Sequence, residues 1–271
     1  MYYLAAIQTD IGTRKKVNQD AAIIKEADTE YGRILLAAIC DGMGGLSDGE
    51  YASGKMTERI SQWFEDELPY CIGNGISPDD IEESLCRLAK DADAEIAAYG
   101  RAHNGDCGTT LCLILLTEGR YIVCNVGDTR VYKLSGGMPE PLTKDQTWVQ
   151  MQVDRGLMQP EEAKTHKQRS VLLQCIGAED GVQPVFTSGS YRTGEEFLLC
   201  CDGFRHVLSE EEMGGIFKPE RMTDEAAMRE ACAEGIARNK KRNEKDNITV
   251  AVIKACDGLP AKKSRFGVRP C

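Results

Sequence analysis

An α+β layered fold, two antiparallel sheets packed together with helices outside, is what the order of patterns in this 271-residue chain predicts. Three observations carry it. Short apolar runs bounded by Gly, Asp and Asn recur from one end of the chain to the other and have strand length. Two long stretches of helical period lie between the first strands and the middle ones. A polar excursion and further helical stretches surround the next strand before a last one closes the chain.

Taken in order, Tyr3 to Thr9 reads as a strand, and Asp10-Ile11-Gly12 turns into a basic cluster, Arg14, Lys15 and Lys16, followed by Asn18-Gln19-Asp20. Ala21 to Lys25 is the second strand. The third, Ile34 to Cys40, is a run of seven apolar residues that ends abruptly in Asp41-Gly42, with Gly44 and Gly45 beyond. From Gly49 the period changes: Ala52, Met56, Ile60 and Trp63 share one helical face. Ser77-Pro78-Asp79-Asp80 is a helix start, with a capping serine, proline at the first position and a carboxylate three residues on. Ile81, Leu85, Leu88, Ala92, Ile96 and Tyr99 then keep helical spacing, so an antiparallel helix pair is expected. Thr109 to Leu116 and Arg120 to Val126 are strands, and Arg130 to Leu134 with Ser135-Gly136-Gly137 reads as a hairpin. Residues 145–180 are polar and weakly helical, a mobile excursion rather than core. Glu196 to Cys201 is a strand, Ser209 to Glu212 a capping box, Thr223 to Asn239 a helix and Asn247 to Lys254 the closing strand. Residues 1–256 are read as one domain. Residues 257–271, with Lys262, Lys263, Arg265 and Arg269, are expected to be a disordered, solvated basic tail.

The 42% hydrophobic and 28% charged fractions are those of an ordinary globular protein, and the net charge of -10 argues against nucleic acid as a partner. Of the 12 cysteines, Cys40, Cys112, Cys124, Cys200 and Cys201 lie in apolar runs, as small buried hydrophobes of a reducing compartment do. No CxxC pair supports a zinc ribbon. No run has signal-peptide character or membrane-spanning length, so a cytoplasmic monomer is expected.

The chemistry lies where strands end. Asp41, Asp128, Asp202 and Asp246 each sit beside a strand and next to Gly or Asn. Buried alone, such acids would repel one another or take up protons. Manganese or magnesium resolves this, because hard cations take carboxylate, carbonyl and water oxygens, and the glycine after Asp41 lets a backbone carbonyl approach the same ion. Two such ions about 3.5–4 Å apart generate a bridging hydroxide and clamp the oxygens of an in-line displacement at phosphorus. The cluster Arg14 to Lys16 offers charge for an incoming phosphate. A lone Asp-Gly is usually only a turn, and a lone charge run only a solvated face. The three histidines, His103, His166 and His206, are too scattered to form a metal site of their own. The order of the motifs is what lifts the case.

That order resembles the metal-dependent type 2C family of protein serine/threonine phosphatases in its bacterial form. The matching segments are Gly12…Asn18-Gln19-Asp20, Asp41-Gly42-Met43-Gly44-Gly45 with Gly49-Glu50 and Ala52-Ser53, Gly108-Thr109-Thr110, Val126-Gly127-Asp128-Thr129-Arg130, Cys201-Asp202-Gly203 and Asp246-Asn247-Ile248-Thr249-Val250. The resemblance implies a central antiparallel β-sandwich flanked by helix pairs. It implies two Mn2+ or Mg2+ ions held by Asp41, the carbonyl of Gly42, Asp202 and Asp246, with Asp20 behind them through water. A third, weaker ion in bacterial members would use Asp128 and share Asp202. Residues 145–180, with His166, Arg169 and Gly177, match the family's flap. Hydrolysis of phosphoserine and phosphothreonine by the bridging hydroxide follows, with no phosphoenzyme. The partners implied are phosphoproteins and a serine/threonine kinase that the enzyme opposes.

The chain departs from the family in places. Lys15 stands where many members place a phosphate-binding arginine, and a point charge replaces a bidentate fork unless Arg14 substitutes. Met43 replaces the leaving-group histidine of animal members. Leu46 replaces a common histidine and Cys201 a common serine, neither expected to touch a metal ligand. Rival readings are a cysteine phosphatase on Cys124…Arg130, which fits Cys-x5-Arg, a pseudophosphatase that binds phosphoproteins without turnover, and a serine phosphatase of the anti-anti-sigma type. Asp128 inside the first loop would repel phosphate, the full acid set argues against the second, and the flap with Gly108-Thr109-Thr110 argues against the third.

Overall fold

The computed structural model describes residues 1–43, 48–73, 75–103, 105–136, 138–178 and 181–258. Among these described residues, ten strands form two five-stranded sheets. The first has the order β1 (Tyr2–Asp10), β10 (Ile248–Cys256), β9 (Glu196–Cys200), β6 (Arg130–Ser135), β7 (Met138–Pro141). The second runs β2 (Asp20–Thr29), β3 (Gly32–Asp41), β4 (Leu111–Thr117), β5 (Arg120–Val126), β8 (Val185–Ser190). Every pairing is antiparallel, as the order of elements predicts.

Alternation along β3 explains the layers. Leu35, Ala37 and Ile39 pack into the core shared with the other sheet, while Ile34, Leu36, Ala38 and Cys40 pack under helices. A run buried on both faces reads as continuously apolar, which is why no alternation is visible in it. The helices over this sheet are α1 (Gly49–Gln62) and α3 (Pro78–Ala102). A π-helical turn, Trp63–Glu67, leads from α1 into the short α2 (Leu68–Ile72). Tyr51 stacks on Tyr99, Lys55 pairs with Glu95 at 3.7 Å, and the Trp63 indole donates to Ser84 Oγ at 2.8 Å. Rising numbers on α1 meet falling numbers on α3, so the pair is antiparallel. On the other side α6 (Asp202–Arg205), α7 (Glu210–Ile216) and α8 (Glu225–Lys241) cover the first sheet. The expected capping box at Ser209 and Glu212 is present in both directions.

Two expectations need correction. β8 is absent from the sequence reading because it is a half-exposed edge strand whose glycine and serines show no apolar alternation. Residues 145–178 do contain two short helices, α4 (Trp148–Asp154) and α5 (Pro160–Thr165), but their far end is core rather than excursion. Ile176 is fully buried and exchanges backbone hydrogen bonds with Thr109, and Gly177 N–H donates to Asp93 on α3 at 2.7 Å. Gly44, Gly45 and Leu46 lie outside the described residues, as do Gly137 and the tail from 259 on.

Candidate metal centre

The two sheets part at one end, and the acids collect there. Ala22 and Ile24 of β2 face the inter-sheet core, and so by period two does Asp20. Ile39 does the same on β3, which carries Asp41 to that side. The two carboxylates are direct cross-strand partners. Asp128 comes from the turn by which the chain leaves β5 in one sheet for β6 in the other. Asp202 opens α6, and Asp246 precedes β10. The sequence-predicted acids thus arrive from both sheets at one place.

Each is fixed by its own surroundings. The main chain of Asp41 is gripped by the threonine pair: its N–H donates to Thr110 Oγ1 at 2.9 Å, and its carbonyl accepts from Thr110 N at 2.9 Å and Thr109 Oγ1 at 3.0 Å. Gly42 N–H donates to the Gln19 carbonyl at 3.0 Å. A Cβ on Gly42 would lie 2.3 Å from the Gly49 carbonyl oxygen and 2.4 Å from that of Gln19, so no larger residue fits there. Asp20 accepts from Thr249 Oγ1 at 2.5 Å, while its Oδ1 has no partner among the described residues. Glu244 Oε1 accepts from the backbone N–H of Lys245 and of Asp246, which shapes the turn carrying Asp246. Gly12, at φ +78°, lies against this turn; a Cβ there would be 1.9 Å from the Asp246 carbonyl oxygen.

The electrostatics are those of a cation site. Burial, then the field of Asp20, Asp202, Asp128 and Asp246, pushes the Asp41 carboxyl well above the usual range. Burial likewise raises Asp20 and Asp202 to about 6 and Asp128 to about 7. Among the described residues, two cations stand directly against these five acids. Lys15 Nζ lies 2.7 Å from Asp246 Oδ1, and Arg205 lies beside Asp128. Oxygen donors dominate, several are buried, and one carboxylate oxygen is unpartnered, so the residues fit hard divalent cations.

Lys15 and Arg14 separate clearly. Lys15 is half-buried and, although burial opposes its charge, the hydrogen bond to Asp246 and the fields of Asp246, Asp41 and Asp202 raise its pKa. Arg14 is exposed and pairs with no acid among the described residues. The loop that sets this register is held by Asn247, whose side chain accepts from Gln19 N and donates to the Ile11 and Val17 carbonyls.

Several neighbours of the acids carry no signal in the sequence pattern. Cys201 stands against them rather than clear of them: its Sγ, an Asp20 oxygen and an Asp41 oxygen all lie within 4.8 Å of one another. Burial and the surrounding acids hold it as a thiol, which accepts from Thr249 N at 3.1 Å. His206 Nε2 lies 3.3 Å from Asp202 Oδ2, and burial first, then Arg205, lowers its pKa. Arg205 and His206 follow Asp202 by three and four residues, a spacing that would have exposed them had a helix been expected after Asp202-Gly203. The other motif residue, Cys124, is fully buried in β5 under the helices. Arg130, six residues on, is held bidentately by Asp145 at 2.6 and 2.8 Å. Neither group is available to cradle a phosphate. In the segment 145–178, expected as a flap, His166 stacks on Trp148, and Arg169 is close enough to lower the His206 pKa.

Residues 9–249 match the family model described as Protein phosphatase 2C. The serine/threonine protein phosphatase PstP of Mycobacterium tuberculosis is 33% identical over 186 residues, 68% of this chain. The match covers 34% of that relative, so the chain spans about a third of its length. The serine/threonine phosphatase stp of Listeria innocua is 27% identical over 252 residues, 92% of this chain and 94% of the relative. Among solved structures, the catalytic domain of PstP in complex with two manganese ions superposes with a TM-score of 0.75 at 28% identity, over 94% of this chain and 99% of that one.

Proposed function

The chain belongs to the protein phosphatase 2C family, and on that footing we propose that it is a metal-dependent serine/threonine protein phosphatase that hydrolyses phosphoserine and phosphothreonine in proteins. The observation that carries this reading is a cluster of acids with too few cations among the described residues: Asp20, Asp128 and Asp202, which are buried, with the part-buried Asp41 and Asp246, against Lys15 and Arg205.

Two ions, manganese or magnesium, would be held by Asp41, the carbonyl of Gly42, Asp202 and Asp246, with Asp20 behind. When bound, such ions supply Lewis acidity toward phosphoryl oxygens and make a water nucleophilic near neutral pH. The chain's own residues do the rest. Thr109 and Thr110 hold the Asp41 backbone, Thr249 holds Asp20, and His206 lies beside Asp202. Lys15 is the residue that meets the substrate phosphate, since its Nζ already sits among the acids and keeps its charge there. Within residues 145–178 the helices α4 and α5 form a flap that governs access to this cleft in this reading, while its ends at Asp145 and Ile176 are fixed to the core. No protein nucleophile is invoked: Cys124 and Cys201 are both fully buried, with thiols raised by burial. Displacement by water in one step is therefore the route, with no phosphoenzyme. The complete acid set favours turnover over a purely phosphoprotein-binding role.

Residues 1–256 act as one catalytic unit in this reading. The bacterial relatives are named serine/threonine phosphatases, which supports phosphoproteins as the substrates; a cytoplasmic signalling role as a monomer that opposes a serine/threonine kinase is part of the same proposal. No helix among the described residues is long and apolar enough to cross a membrane, and the described cysteines are all free. Cys124→Ala tests the chemistry against a cysteine mechanism. Hydrolysis of a phosphothreonine peptide is expected to stay within about threefold of the parent and to resist vanadate, because removing one buried sulfur disturbs packing and not a nucleophile. Loss of turnover in a variant that still melts cooperatively would contradict the proposal.

A further inference from the structure

The family implies a third, weaker cation at Asp128, and the side chains around Asp128 do not fit one. Arg205 Nη2 donates to the Asp128 carbonyl at 2.8 Å and lies 3.5 Å from its Oδ2. The same nitrogen lies 3.1 Å from Asp145 Oδ2. Both acids and the guanidinium are largely buried, with side-chain exposures of 8%, 10% and 13% for Asp128, Asp145 and Arg205. The charge at Asp128 is thus already answered from within the chain.

Arg205 is also held where it is. Asp145 accepts two hydrogen bonds from Arg130, whose Nη1 donates in turn to Tyr132 Oη at 3.0 Å. The next residue, Gln146, is tied to the turn that carries Asp128: its Oε1 accepts from Gly127 N at 2.7 Å, and its N–H donates to the Gly127 carbonyl at 3.0 Å. Swinging the guanidinium aside would leave Asp128 buried without its cation and loosen the base of the flap. A guanidinium stays charged at any working pH, so the seat is not vacated by proton loss. A divalent ion bridging Asp128 and Asp202 would have to lie against this fixed positive charge, three residues along α6 from Asp202.

We propose that Arg205 is a built-in replacement for the third metal ion: its guanidinium neutralises Asp128 and ties it to the base of the flap, so the centre takes up two divalent ions and no more. This rests on the metal-phosphatase reading, and the test separates the two. Manganese bound per chain is measured by equilibrium dialysis with elemental analysis, at rising free manganese, on the full chain and on Arg205→Gln and Arg205→Lys. The parent chain is expected to saturate at two ions. Arg205→Gln, which keeps most of the volume and loses the charge, is expected to gain one further, weaker ion, whereas Arg205→Lys stays at two. Thermal melts establish that each variant is folded. Three ions on the parent chain would overturn the proposal. So would two on a folded Arg205→Gln, or a third on a folded Arg205→Lys should Gln misfold. No manganese on the parent chain would overturn the underlying metal reading, and this inference with it.

Discussion

Replacing Asp41 by Asn is expected to lower phosphopeptide hydrolysis by at least about a hundredfold and, in EDTA, to raise the melting temperature. The two effects share one cause. Oxygens of Asp20 and Asp41 lie within 4.8 Å of one another. When both are ionised, two unit charges at that distance repel by up to roughly 3 kcal/mol at an effective dielectric near 20. An amide keeps the shape, removes the repulsion and loses the proposed ligand. At about 2–4 °C per kcal/mol for a chain of this size, the gain in melting temperature is readily measured. The pH dependence has a definite sign. Asp20 and Asp202 are raised to about 6 and Asp128 to about 7, chiefly by burial. Between their unfolded values near 4 and those values the folded chain holds more protons than the unfolded one. Stability of the metal-free protein is therefore fullest at the low end of that window and declines as pH rises toward 7. The advantage of Asp41→Asn should be larger at pH 7.5 than at pH 5.5. Manganese should reverse the ranking, stabilising the parent chain more than the variant. A variant that melts lower in EDTA at pH 7.5, or keeps full activity, would contradict the account of the site.

Asn247→Ala is expected to destabilise the fold by about 3 kcal/mol and to unseat Lys15. Asn247 is buried and its side chain makes three hydrogen bonds to main-chain groups, with Gln19 N at 2.9 Å, Ile11 O at 3.0 Å and Val17 O at 3.2 Å. Those bonds close the loop that carries Lys15 onto the start of β10. Each is worth about 1 kcal/mol net, and truncation leaves main-chain partners short of a bond. Melts in EDTA should fall by roughly 6–12 °C. With manganese restored, KM for a phosphopeptide should rise, because Lys15, the cation proposed to meet the phosphate, is no longer held among the acids. An unchanged melt together with an unchanged KM would mean that the loop is fixed by something other than Asn247.

How much of this the sequence discloses depends on the residue. The strand Arg120–Val126 has the expected bounds, and Ser77 and Ser209 cap helices as their spacing predicts. The acids are legible because each ends or precedes a strand or a strand-like run, and period two then places Asp20 and Asp41 on one face. Other features have no periodic signature. β8 is an edge strand with little to bury. α6 is four residues long, too short to show a helical period, so Arg205 and His206 go unnoticed beside Asp202. The choice of Lys15 over Arg14 is made by hydrogen bonds from Asn247, more than 200 positions away, to the main chain flanking the loop. The contact of Cys201 with Asp20 likewise depends on how two sheets converge, which no local pattern reports.

The most direct test of the central claim is hydrolysis of a phosphothreonine peptide by the full chain, first in EDTA and then after manganese is restored in excess. Turnover that is absent with chelator, returns with manganese and resists vanadate is the predicted result. Turnover that persists in EDTA, or none with manganese demonstrably bound, would contradict it.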